Sequence, residues 1–296
     1  MADATRSFEE GRWGEPLKIA FIVLTYNRSD TLLQVLAGLA SQCDERHEVI
    51  IADDGSTPEE VDAFKRKIPL FKCAVTHVWH VDTGFTASRA RNHAAASSSA
   101  DYFVFMDGDC IPNQHFVESH TALMESGFFV NGSRVLLSKE LTEKILAGDV
   151  LIGGANWREW LKWRLSGDAN KLVHLLNWPK APWRKRNNFY WKKIRSCNFG
   201  VWRHDFIAVN GFDESFQGWG HEDADMVLRL HNAGLHRKNG FCATEVYHLW
   251  HRENSRDNES VNRQTVMQRL RSGQIRASLG VDGVRSGQNA EVRRLN

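Results

Sequence analysis

Two aspartates one glycine apart, Asp107 and Asp109, end the run Tyr102-Phe-Val-Phe-Met106. That run is apolar and aromatic, and reads as a strand buried inside a sheet. Carboxylates this close at the carboxyl end of a buried strand repel each other unless a cation lies between them. That end of an open α/β sheet is also where ligands bind. A divalent metal holding the phosphates of a substrate is therefore one reading of Asp107-Gly108-Asp109. A plain acidic turn is the other, since Asp-Gly is a common turn pair.

Other residues able to do chemistry fall at comparable places. Asp53-Asp54-Gly55-Ser56 follows a short apolar run and reads as a ligand loop or as a turn with a helix N-cap. Glu222-Asp223 opens an amphipathic helix. The macrodipole favours carboxylates there in any case, yet such an acid also suits a general base. His248 and His251 close a strand-like segment over 242–251. From the sequence alone each reads as a hydrogen-bonding loop histidine, and either could add an imidazole to a metal site. Oxygen ligands indicate Mg²⁺ or Mn²⁺, and an added imidazole favours Mn²⁺. Trp219, between Gly218 and Gly220, is poorly placed for a core and reads as a binding residue.

The elements that must position these residues alternate. Residues 18–25, 48–52, 75–80 and 102–106 read as strands, with helices over 27–42, 58–67 and 84–98 between them. Three βα alternations predict a doubly wound, mostly parallel sheet, and hence an α/β fold. Thr25-Tyr26, Asp53-Asp54 and Asp107 then line one sheet edge. Beyond Pro112 the pattern loosens into a helix over 113–126, strands over 128–137 and a helix over 139–147. A last helix starts at Glu222. Residues 1–16 are expected as a loosely held tail without the pattern of a signal peptide. Residues 17–255 form the main domain, its nucleotide side in 17–112 and its acceptor side in 113–255. Residues 256–296 are a basic, partly helical, solvated tail.

The composition, 42% hydrophobic and 25% charged, is that of a soluble globular protein. No apolar run is long enough to span a membrane. Five scattered cysteines without a C-x-x-C pair argue against a disulfide framework and against zinc, and fit a reducing compartment such as the cytosol. The net charge of +2 hides an asymmetry: residues 155–195 hold eleven Lys/Arg against two acids, and six of the eleven tryptophans. Trp157, Trp160 and Trp163 recur every three residues, with Arg158, Lys162 and Arg164 around them. Such a segment reads as a helix lying on a membrane surface, as a core-facing aromatic side, or as a solvated lid.

Taken in order, Thr25-Tyr-Asn27, Asp53-Asp-Gly-Ser56, Ala90-Arg-Asn92 and Asp107-Gly-Asp109 resemble a family 2 glycosyltransferase with the GT-A fold. The block Cys197-Asn-Phe-Gly200, Gly211-Phe-Asp213, Gly218-Trp-Gly-His-Glu-Asp223 and His248 is similar to the C-terminal region of β-1,4-galactosyltransferases and chondroitin-polymerase-type enzymes. The resemblance covers residues 17–255. It implies a nucleotide-sugar donor, with Thr25, Tyr26, Asp54, Arg91 and Asp107 at the nucleotide. It also implies a metal on Asp109 with His248 or His251, Asp223 as base with Glu222 beside it, and an acceptor at Trp219 and Gly220. A metal-dependent, inverting transferase follows, moving a hexose or N-acetylhexosamine, UDP-linked, to a saccharide or glycolipid in cell-surface polysaccharide or lipopolysaccharide synthesis. The expected location is cytoplasmic, peripheral on the inner membrane face.

Two rivals are weighed against it. A nucleotidyltransferase needs a Gly-rich, cationic loop after the first strand, where this chain has Thr25-Tyr-Asn-Arg28. A non-catalytic lipid- or nucleic-acid-binding module needs the basic tryptophan segment but not Asp109, Asp223 and His248. No nucleic-acid partner is expected.

Overall fold

The structure, a computed structural model, describes residues 17–189, 194–216, 218, 220–252, 259–285 and 290–296. Its first half follows the expected alternation: β1 (Ile19–Thr25), α1 (Ser29–Ala40), β2 (His47–Asp53), α2 (Pro58–Lys65), β3 (Ala74–Trp79), α3 (Ala87–Ala96) and β4 (Tyr102–Asp107). Then come β5 (Cys110–Pro112), α4 (Phe116–Leu123), β6 (Phe128–Asn131), β7 (Ser133–Leu136), α5 (Lys139–Ala147) and α6 (Trp157–Ser166). The remaining elements are β8 (Lys185–Arg186), β9 (Asn198–Trp202), α7 (Arg203–Ala208), α8 (Glu222–Asn232), β10 (His236–Asn239), β11 (Glu245–His248), α9 (Glu259–Ser272), α10 (Val281–Arg285) and β12 (Glu291–Arg294).

The main sheet runs β12-β3-β2-β1-β4-β9-β6-β10-β8, with β3, β2, β1 and β4 parallel. Those four strands are apolar almost throughout because helices cover both faces of the sheet. On one face Phe21, Val23, Val104 and Met106 pack with Leu32, Val35 and Leu36 of α1. On the other, Ala20, Ile22, Phe103 and Phe105 meet the alanines of α3 and Phe206 of α7. Alanine at 90, 94 and 95 lets α3 sit close to the strands. A second, smaller sheet, β5-β11-β7, lies beyond β4.

Two sequence expectations are corrected. Residues 196–202 had no strand assigned, but β9 lies between β4 and β6 and is antiparallel to both. Among its described residues, the C-terminal segment is tied into the fold rather than fully solvated, although β12 stays exposed. Its β12 pairs antiparallel with β3, and Arg269 of α9 reaches Asp225 Oδ1 at 2.6 Å and Asp213 Oδ2 at 2.7 Å, all three buried. Asp225 also accepts from Arg229 Nε at 2.8 Å, so this acid near the start of α8 belongs to an internal ion network. The five cysteines are free and buried. Among the described residues no helix is long and apolar enough to cross a membrane.

Candidate active site

Strand register assembles the site. Thr25 of β1 lies opposite Asp53 of β2, and Leu24 lies opposite Asp107 of β4, so three loops leave the sheet at one edge. Gly108 donates its N–H to Leu24 O at 2.7 Å. A Cβ at Gly108 would stand 2.8 Å from that oxygen, so the two acids can be separated here only by glycine. Asp109 then leads into β5, whose Cys110 pairs with His248 of β11, and Leu249 N–H donates to Asp109 O at 2.9 Å. This pairing brings both histidines to the aspartate. His251 Nε2 lies 3.3 Å from Asp109 Oδ2, and His248 Nε2 lies 3.8 Å from Oδ1.

Donor chemistry at this corner fits a hard divalent cation. One ligand atom each from Asp109, Cys110 and His248 lies within 4.8 Å of the others. Burial, with Cys197 adjacent, pushes the Cys110 thiol well up, so sulfur is protonated and a poor ligand. Burial also pushes His248 down to about 4, against the pull of Asp109, so the imidazole is neutral at pH 7, the form that ligates metals. Carboxylate and imidazole together suit Mn²⁺ or Mg²⁺, with Mn²⁺ favoured by nitrogen.

Beneath the edge lies Arg91. Its Nη2 donates to Asp107 Oδ1 at 2.9 Å, while Nε and Nη1 are buried without a hydrogen-bond partner. Burial disfavours its charge, but Asp107, Asp223 and Glu222 outweigh that and raise its pKa. The guanidinium is thus a buried counter-charge shared by three carboxylates, deeper than the diphosphate contact expected of it. Burial also raises the Asp107 carboxyl, with Arg91 opposing and Asp109 and Asp223 adding to the rise. Asp223 is partly buried on the first turn of α8, and its Oδ1 has no hydrogen-bond partner in the protein. It lines a small cleft with Ser196, Phe199 and Phe212.

Glu222 faces inward. Its Oε2 accepts from Gly220 N–H at 3.1 Å, and burial followed by the neighbouring Asp223 charge raises its pKa to about 7. A raised carboxyl means that the folded state holds a proton the unfolded chain has released. Stability therefore falls as pH rises from about 4.5 to 7 and stays reduced above. Glu222→Gln keeps an acceptor for Gly220 and removes that cost. In thermal unfolding without metal or nucleotide, the variant should be more stable than wild type by about 2–3 kcal/mol at pH 8 and equal to it near pH 4.

On the nucleotide side, the two adjacent acids divide the work. Asp53 is buried, accepting from Ser56 N–H at 2.8 Å and lying 2.8 Å from His77 Nε2, so it holds the turn. Asp54 accepts from Thr86 N–H at 2.9 Å and from Thr86 Oγ1 at 2.5 Å, with His80 Nε2 3.3 Å away. A carboxylate accepts about four hydrogen bonds, and Thr86 supplies two, so Asp54 keeps acceptor capacity for a ligand. Thr25 is buried at the strand end, whereas Tyr26 is 47% exposed, its hydroxyl donating to Asp82 at 2.9 Å. Thr86, His80 and Asp82 were not singled out from the sequence. Their only signal was position, just past the third strand.

The acceptor-side loop turns sharply. Gly218, Gly220 and His221 have φ of 70°, 113° and 70°. Gly220 is buried with its N–H on Glu222 and its C=O accepting from Asn262 at 2.9 Å, so it supplies the turn rather than an open backbone surface. Trp219 lies outside the described residues. Asn92, quoted above only within Ala90-Arg-Asn92, ties α3 to the next loop, donating to Phe212 O at 2.8 Å and accepting from Phe212 N–H at 2.9 Å. Side-chain amides are hard to assign a role from sequence, because their partners are backbone groups far along the chain.

Comparisons with known proteins identify the family and the fold. A model described as glycosyl transferase family 2 matches residues 20–201. The chain belongs to this family. A second model, described as the N-terminal domain of galactosyltransferase, matches residues 183–252. Validoxylamine A glucosyltransferase of Streptomyces hygroscopicus subsp. jinggangensis is 26% identical over 73% of this chain and 52% of its own length. Chondroitin synthase of Escherichia coli is 25% identical over 79% of this chain and 34% of its own. The chain thus spans about half of the first relative and a third of the second. Among solved structures, S. aureus TarS 1-349 in complex with UDP-GlcNAc matches with TM-score 0.57 at 13% identity, covering 90% of this chain and 69% of that one. The mannosyltransferase PcManGT of Pyrobaculum calidifontis, solved with GDP-Man and Mn2+, matches with TM-score 0.53 at 13% identity over 92% and 65%. These likenesses establish the GT-A fold.

Proposed function

We propose that the chain is a metal-dependent, inverting glycosyltransferase. It moves a hexose or N-acetylhexosamine from a UDP-sugar to a saccharide or glycolipid acceptor in cell-surface polysaccharide or lipopolysaccharide assembly. The observation that carries this reading is the meeting of Asp107, Asp109 and Asp223 around one sheet edge, from β4 and α8, with two histidines and Arg91 among them. Tyr26 offers a face to the base, Asp54 its remaining acceptor capacity to the uracil N3–H, and Thr25 the floor between them. Asp107 and Asp109 hold the ribose and metal side, with Arg91 fixing Asp107. Trp219, and Gly220 through its turn, form the acceptor side.

The reaction requires one bond to form and one to break. The acceptor hydroxyl oxygen attacks the anomeric carbon while the bond from that carbon to the diphosphate breaks. The hydroxyl proton passes to Asp223, and the nucleoside diphosphate leaves with the bonding electrons. Asp109, with His248 and His251, would hold a divalent cation, which when bound would supply positive charge to the departing phosphates. Attack from the side opposite the leaving group inverts the configuration, so an α-linked donor gives a β-linked product. Glu222, whose pKa is raised to about 7, stands beside the base and carries a proton below neutrality.

A donor-hydrolysis screen tests this directly. With Mn²⁺ present, UDP should be released from one class of UDP-hexose or UDP-N-acetylhexosamine, and chelation should stop the release. Turnover of GDP-sugars alone would overturn the donor assignment, and release that survives chelation would overturn the metal.

A further inference from the structure

Helix α6 is apolar on two sides. One side faces inward: Trp160 is buried, its ring 3.9 Å from His174 and 4.8 Å from Tyr247, and Trp163 packs on the same core. The tryptophans at three-residue spacing therefore do not form one outer face, as the membrane reading of the sequence required. The other side carries Trp157, Leu161 and Leu165 at four-residue spacing, which stacks them in one stripe. They are 60%, 40% and 79% exposed.

Cations flank the stripe. Helical geometry sets Arg158 and Lys162 along one edge and Arg164 along the other, and all three are exposed. The single acid of α6, Glu159, folds back onto the N-cap backbone, where its Oε2 accepts from Asn156 N–H at 2.8 Å. No ion pair engages Arg158, Lys162 or Arg164 among the described residues. Leu151 before the helix, and Leu176 and Trp178 after it, are also exposed. Lys185, by contrast, is held by Glu125 and is not part of this face.

We propose that α6 docks the protein on an anionic lipid surface. Trp157, Leu161 and Leu165 enter the boundary between headgroups and chains, and Arg158, Lys162 and Arg164 meet the phosphates. Charge selects this occupant. A second copy would bring the same cations face to face, and a nucleic acid would engage the cations without burying the stripe. The inference extends the glycolipid half of the proposed function, and its test does not depend on sugar transfer.

The test is flotation of the whole chain with phosphatidylcholine vesicles, with and without phosphatidylglycerol. Binding should require phosphatidylglycerol and weaken with salt. The triple variant Trp157→Ser, Leu161→Ser, Leu165→Ser should lose about tenfold or more in partitioning, and Lys162→Glu about fivefold or more. UDP release from a soluble donor should be unchanged in both variants, which also reports that they fold. Wild type failing to float with anionic vesicles, or the triple variant floating equally well, would overturn the proposal. So would light scattering that finds a dimer which the triple variant converts to monomer. Donor hydrolysis that fails while flotation holds would count against sugar transfer alone.

Discussion

Asp223→Asn should lower the turnover of sugar transfer by about 10²–10⁴-fold, the usual contribution of a positioned general base, and leave UDP affinity nearly intact. Asp223 Oδ1 is buried and has no partner in the protein, which leaves one acceptor oxygen for a hydroxyl that has yet to arrive. The residue comes from α8, whereas the nucleotide-side acids come from β2 and β4, so donor binding can survive its loss. Asparagine has nearly the same shape and cannot take the proton. It also removes a negative charge beside Glu222, so the variant should be no less stable than wild type, which separates lost chemistry from lost folding. The measurement is turnover with saturating donor and acceptor, paired with calorimetric titration of UDP and Mn²⁺. Equal loss of UDP affinity would move Asp223 to the donor side, and unchanged turnover would remove it from the reaction.

Asp223 stands out in the sequence because of its neighbours. Gly218, Gly220 and the acids at 222 and 223 announce a sharp turn into a helix, and the helix follows. The parallel strands were legible for a related reason. β1, β2 and β4 are covered by helices on both faces, so their sequences are unbroken apolar runs, and the acids that end them mark the sheet edge. The strands that escaped notice depend on distant partners. In β9, Gly200 breaks the apolar run, and it is glycine because Tyr102 Oη lies where a Cβ would go. β12 is fully exposed along its length and forms only because the edge of β3 is open to it. The faces of α6 were legible as periodicity but not as direction, since two apolar stripes compete and only packing decides which is buried. Arg91 is the same problem in electrostatics: its burial beneath three carboxylates is a property of the assembled edge.

The second large effect belongs to Asp109. Asp109→Ala should weaken Mn²⁺-dependent UDP binding by at least ~100-fold, read by calorimetry with and without chelator, because every contact that suits a cation here converges on that carboxylate. The case rests on protons as much as on distance. His251 Nδ1 lies 2.9 Å from Arg252 O, and its Nε2 lies 3.3 Å from Asp109 Oδ2. His248, held neutral by burial, is aimed at the other oxygen of the same aspartate. A neutral imidazole can turn a ring lone pair to a cation held by the same carboxylate, which suits a metal at this corner. The sequence left His248 and His251 as alternatives, and an Nε2 of each lies within 4 Å of Asp109. Single replacement of either by alanine should therefore weaken metal-dependent binding only in part, and the double replacement should approach Asp109→Ala. If His251→Ala has no effect while His248→Ala alone equals Asp109→Ala, the second imidazole is a bystander and the pairing set by β5 and β11 carries the metal unaided. If neither matters, the carboxylate holds the ion without nitrogen, and the preference for Mn²⁺ over Mg²⁺ should vanish with it.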